Sequence, residues 1–139
     1  MKIELISSQK LKAVAAKDLD VLVNKISGIL KLPEKTISFL LCDDREIKKF
    51  NKKFFNRNVV TDVIAFALED DTYFGEIIIS VERALKVCAK YGNNWQDEFA
   101  TYVIHGILHI LGYDDTTAAK KKIMFKKQDE ILLSLRGTK

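Results

Sequence analysis

Residues His105–Asp115 read HGILHILGYDD, and the interval between the two histidines decides how the chain is read. On an α-helix, positions four apart share one face, so His105 and His109 can turn their imidazoles toward a common point. Gly112 follows three residues after His109, where a helix can end in the left-handed conformation that glycine adopts cheaply. Past such a stop the chain can reverse, and Asp115 can swing back as a third ligand. Two imidazoles and one carboxylate leave the fourth position of a tetrahedral divalent ion open, the arrangement of a catalytic metal site.

A bare H-x-x-x-H pair on an apolar helix is more often core or surface than ligand. The context weighs against that here. The chain holds 2 histidines in 139 residues, and both are in this pair. A helix-stopping glycine follows at the right interval, and a carboxylate stands where a third ligand belongs. The interval is also the metzincin spacing, which suggests a metzincin-like metal helix and, as one alternative, a small metalloprotease. In those proteases a glutamate after the first histidine is the general base; here that position is Gly106.

The rest of the chain alternates short strands with amphipathic helices. KIELI is a first strand. Leu19, Leu22, Val23, Ile26, Ile29 and Leu30 recur at helical spacing in a helix that stops before Leu32-Pro33. TISFLLC is a second strand, and Asp43-Asp44 after it can cap a helix through Ile47, Phe50 and Phe54. DVIAFAL and GEIIIS are strands joined through EDDTYF. Ser80 caps a helix bearing Val81, Ala84, Leu85 and Cys88 that ends near Gly92. The motif helix begins around Trp95 to Glu98, with Ile104, Leu108 and Leu111 as core, and another helix follows Asp115. Four strands and about five helices make one α+β domain over residues 1–139.

Hydrophobic residues are 47% and charged residues 30%, the proportions of a globular protein. No apolar run approaches the ~20 residues of a membrane helix, and the N-terminus develops no signal-peptide core, so no membrane association and a cytoplasmic location are expected. Cys42 and Cys88 make no C-x-x-C and lie in apolar surroundings, as buried thiols do. The net charge of +4 favours anionic partners without deciding among them. Lys120–Lys127, KKKIMFKK, is the densest basic run. It reads as the solvated face of a last helix whose apolar stripe is Met124, Ile131, Leu132 and Leu135, with Gln128 off-pattern, and also as a candidate RNA phosphate contact.

The motif resembles the signature of the YbeY endoribonucleases, also described as rRNA maturation factors, H-G-x-L-H-L-x-G-Y-D-H. His105, Gly106, Leu108, His109, Gly112, Tyr113 and Asp114 are in register. Ile110 replaces a leucine, and Asp115 stands where the family usually has its third metal-binding histidine. Upstream, FNKKFFNRNVVTDVIAF resembles the family's N-x-x-[YF]-R-x-K-D-x-x-T-D-V-L-S-F segment at Asn51, Phe54, Thr61, Asp62, Val63 and Phe66. Phe55 occupies the place of an arginine associated with catalysis. GEIIIS resembles the family's G-D-I-x-I-S strand. The likeness implies a mixed sheet of about four strands with the metal helix packed beneath it.

It also implies a metal-dependent, single-strand-specific endoribonuclease acting in 16S rRNA 3′-end maturation and in small-subunit assembly or quality control. His105, His109 and Asp115 would hold one divalent ion, which lowers the pKa of bound water and offsets charge on phosphoryl oxygens. Zinc is the first expectation, and the aspartate, harder and more negative than histidine, makes manganese or nickel less excluded. With no glutamate at 106, the catalytic base must come from elsewhere. Asp62 ranks first, with Asp114 and Glu98 as further candidates. Arg57 can steady the phosphate in place of the missing arginine. Ribosomal RNA and the small ribosomal subunit are the implied partners, with the GTPase Era or a small-subunit protein beside them. A non-catalytic ribosome-assembly factor that has lost activity through Phe55 and Asp115 is the other alternative.

Overall fold

The computed structural model describes residues 1–137. The elements are β1 (Lys2–Ser7), α1 (Ala16–Leu30), β2 (Thr36–Cys42), α2 (Asp44–Phe55), β3 (Val63–Ala67), β4 (Tyr73–Ser80), α3 (Val81–Tyr91), α4 (Trp95–Ile110) and α5 (Ala118–Gly137). One mixed sheet runs β1-β2-β4-β3, with β1, β2 and β4 parallel and β3 antiparallel to β4. The α+β class and the mixed four-stranded sheet are those expected.

Alternation along β2 and β4 divides the core between the sheet's two faces. Ile37, Phe39, Leu41, Ile77 and Ile79 meet α1, α4 and α5, while Cys42, Ile64 and Ile78 meet Ile47 of α2. Both cysteines are buried and unpaired, and burial pushes the Cys42 thiol up to about 12. Asp43 caps α2 by accepting from the Glu46 N–H. Asp44 is buried, accepts from Ser80 Oγ at 2.7 Å and from Lys86 Nζ at 3.0 Å, and so ties α2 to the start of α3. No helix among the described residues is long and apolar enough to cross a membrane.

The approach of α4 to the sheet is set by two glycines. A Cβ built on Gly106 would lie 2.9 Å from Ile77 Cδ1, and one on Gly75 would lie 2.5 Å from the Phe66 carbonyl oxygen and 2.6 Å from Ile110 Cδ1. Gly106 thus faces β4, which leaves the flanking His105 and His109 on the side turned to the cleft. Leu111 is the one expected core residue of this helix that is not: it is 42% exposed. It is the C-cap, and the helix ends before its side chain can turn inward.

Gly75→Ala should lower stability by about 1–3 kcal/mol, since the obstruction is backbone and cannot rotate away. Gly106→Ala should cost less, because alanine recovers about 1 kcal/mol of helix propensity against the displacement of Ile77. Denaturant unfolding of the two variants beside wild type checks the order.

Candidate metal centre

Asn94 starts α4 by accepting from the Asp97 N–H at 2.8 Å, and Asp97 and Glu98 lie in the first turn, where carboxylates complement the helix dipole. Gly112, at φ 101°, ends the helix as expected. The Gly112 N–H reaches the His109 carbonyl and the Tyr113 N–H reaches that of Leu108, each at 3.0 Å, so the chain turns back over the last turn. Asp115 is thereby returned to the histidines. One ligand atom from each of His105, His109 and Asp115 lies within 4.8 Å of the others.

The two imidazoles point their Nε2 atoms at each other across 3.0 Å. The Nδ1 of His105 lies 2.8 Å from Gln128 Oε1 on α5. An amide oxygen only accepts, so Nδ1 carries the proton and Nε2 keeps its lone pair. Burial, followed by the neighbouring His105, lowers the His109 pKa below its ordinary 6.5, and Asp115, the Tyr113 backbone and Asp62 oppose that. The ring is therefore neutral at neutral pH, the state that a ligand requires. Two imidazole nitrogens and a carboxylate, oriented by an outer hydrogen bond, fit a divalent ion of the zinc class.

Gln128 was the residue that did not fit the apolar stripe of α5. It is 6% exposed and occupies the buried stripe between Met124 and Ile131. A polar side chain at a helical core position needs a partner, and the nearby ligand histidine is that partner. The spacing carried this signal, although the identity of the partner was not readable from it.

Two joined cavities surround the triad. One, of about 390 Å³, is lined by Phe55, Arg57, Asp62, His105, His109 and Asp115 among others. The second, of about 570 Å³, shares Thr61, Asp62, His105 and Asp115 and continues past Arg83, Glu98, Tyr102, Lys121 and Phe125. Arg57 and Phe55 meet on the same cavity because α2 stops at Phe55 and Asn56 takes the left-handed conformation, φ 54°. The Phe55 ring stacks on Phe66 at 5.8 Å.

The three carboxylates named as base candidates separate here. Asp62 Oδ1 accepts from the Val63 N–H at 2.8 Å and from Thr61 Oγ1 at 3.4 Å. Its Oδ2 accepts no hydrogen bond among the described residues. Asp114 does not line either cavity: it accepts from the Thr116 N–H and hydroxyl and pairs with Lys120, closing the turn before α5. Glu98 lines the second cavity only, together with Tyr102, whose hydroxyl pKa is raised first by burial and then by Glu98 and Asp62. The basic run Lys120–Lys127 is largely exposed around the buried Met124. Lys121 leaves the solvated face to line the second cavity.

His109→Ala should abolish stoichiometric binding of added zinc, while Gln128→Ala should leave the stoichiometry but weaken affinity by about 10- to 100-fold, the usual effect of losing a ligand's outer partner. Competition with a chromogenic chelator measures both.

The Endoribonuclease YbeY family model matches residues 2–136. Among curated relatives, the endoribonuclease YbeY of Endomicrobium trichonymphae is 41% identical over 105 residues, covering 76% of this chain and 74% of that protein. That of Geobacillus thermodenitrificans is 32% identical over 128 residues, covering 82% of each. A protein of Thermotoga maritima solved in solution superposes with a TM-score of 0.68 at 28% identity, covering 97% of this chain and 89% of its own. With a match over nearly the full length and the motif's ligand atoms drawn together at one cleft, the chain belongs to the YbeY family.

Proposed function

We propose that this chain is a metal-dependent endoribonuclease acting on single-stranded segments of ribosomal RNA, with zinc as the first expected metal. The observation that carries the reading is the convergence of His105, His109 and Asp115 within 4.8 Å at the junction of two cavities that also expose Asp62 and Arg57. When bound, a divalent ion supplies Lewis acidity and charge neutralisation at a phosphodiester.

The protein's own part divides among few side chains. His105 is fixed in one tautomer by Gln128 and offers Nε2 as a ligand. Asp62 is anchored by the Val63 N–H through Oδ1 and lines both cavities, where its carboxylate would serve as the proton acceptor. Arg57 is exposed on the same cavity and can hold a non-bridging phosphate oxygen, as a guanidinium does well. It takes the place of the family's arginine one cavity wall away from Phe55. Gly106 argues against the protease reading, since a glutamate there would run into Ile77. Phe55 and the exposed Asp115 favour a second reading, a non-catalytic assembly factor that retains the fold and binds RNA.

The proposal extends to 16S rRNA 3′-end maturation in the cytoplasm, with the small ribosomal subunit and the GTPase Era or a small-subunit protein as partners; the family membership and the basic net charge support it. Depletion of the protein should then leave unprocessed 16S 3′ ends and a deficit of small subunits. Normal ends and normal subunit profiles would overturn this part of the reading.

Asp62→Asn keeps the side-chain oxygen that accepts from Val63 but removes the proton acceptor. Single-turnover cleavage of a single-stranded RNA should fall about 10²- to 10⁴-fold at matched metal occupancy, the usual contribution of a general base. Equal rates would leave Asp62 as a turn cap only. Cleavage that persists undiminished after chelation would remove the metal from the proposal, and no cleavage by the metal-loaded wild type would favour the assembly-factor reading.

A further inference from the structure

Two aromatic rings flank the triad where polar residues would be expected. Phe55 lines only the first cavity and is 49% exposed; Phe125 lines only the second and is 36% exposed. Aromatic rings of this size are ordinarily buried, and exposed ones grouped about a site mark a binding surface. Each packs against another ring, Phe55 on Phe66 in near-parallel stacking at 7° and Phe125 on His105 at a centroid separation of 6.0 Å. Each also has a cation beside it. Arg57 shares the cavity of Phe55, and Lys121 Nζ sits over the face of Phe125, 5.5 Å from its centroid, on a flexible side chain that an incoming base would displace toward its own phosphate. Neither cation forms an ion pair among the described residues. The shared middle of the cleft carries Asp62 and Asp115, which repel phosphate unless a metal offsets them, so the cations at either end are where the flanking backbone is held.

We propose that Phe55 and Phe125 are two base-stacking platforms that bracket the metal triad, so that single-stranded RNA lies across the cleft with a base on each ring and a phosphodiester between them. The inference rests on the endoribonuclease reading and adds to it the source of strand selectivity. An unpaired base has a free π-face to lay on an aromatic ring, whereas a base within a duplex is already stacked on its neighbours. On this account the phenylalanine at 55 is a reader of the substrate rather than only the loss of an arginine.

The test compares two probes of equal length and charge, a fluorescent 2′-O-methyl oligoadenylate, which lacks the 2′-hydroxyl nucleophile, and its abasic counterpart. Anisotropy is measured with the zinc-loaded protein. Wild type should bind the base-bearing strand more tightly than the abasic one. Phe55→Leu and Phe125→Leu keep an apolar side chain but remove the π-face, and each should weaken binding of the base-bearing strand by roughly 5- to 150-fold while leaving the abasic strand unchanged. Phe55→Tyr and Phe125→Tyr should restore the preference. Thermal melts confirm that the leucine variants fold. Equal loss for both probes, or no loss for either, overturns the platforms and leaves RNA binding intact as a reading. Failure of wild type to bind either probe overturns the RNA reading itself.

Discussion

The contact of α4 with β4 through Gly106 and Gly75 is the constraint on which the rest of the molecule depends. A helix usually stands off a sheet by the thickness of its side chains, and here a glycine on each partner makes room for an isoleucine of the other, Gly106 for Ile77 and Gly75 for Ile110. The approach fixes the rotation of α4 about its axis. With Gly106 turned to Ile77, the positions on either side of it in the helical wheel have little freedom, and His105 and His109 come to the boundary between the apolar interior and the cleft. There both are half-buried, and for His109 that burial lowers the pKa. A side chain at 106 would therefore press first on Ile77, and any shift of α4 away from β4 would carry both histidines with it.

The cleft's two walls are joined by parts that are remote in sequence. Asp44, the first residue of α2, is tied to Ser80 at the end of β4 and to Lys86 of α3, and the far end of the same helix carries Phe55 to the cleft, with Arg57 just beyond it. On the other wall α5 packs Met124 and Ile131 into the core and carries Gln128, Lys121 and Phe125 to the site. Asp62 stands between the walls at the entrance to β3, anchored by its own backbone neighbourhood. The site is thus built from four segments, only one of which contains the motif.

What the sequence made legible follows from which signals are local. The histidine pair, the glycine stop and the returning aspartate all lie within eleven residues, and the helix geometry alone relates them. Strand and helix identities followed from apolar periodicity, and the capping roles of Asp43 and Ser80 from short-range backbone chemistry, while the Asn94 cap of α4 emerged only from the structure. Leu111 was misjudged as core because periodicity continues past the point where the backbone leaves the helix. Gln128 was visible as a polar interruption of an apolar stripe, but its partner lies 23 residues away and on another helix. Asp62 ranked above Asp114 in sequence only through the family segment around it. The fold gives the physical distinction, Asp114 closing a local turn with Lys120 and Asp62 lining both cavities.

The hydrogen bond from His105 to Gln128 also sets an order of events during synthesis. The triad is complete in the chain once Asp115 has been added, yet the histidine gains its fixed tautomer only when α5 has left the ribosome and packed on α4. A growing chain that already carries all three ligands therefore lacks the settled ligand geometry until its last helix docks.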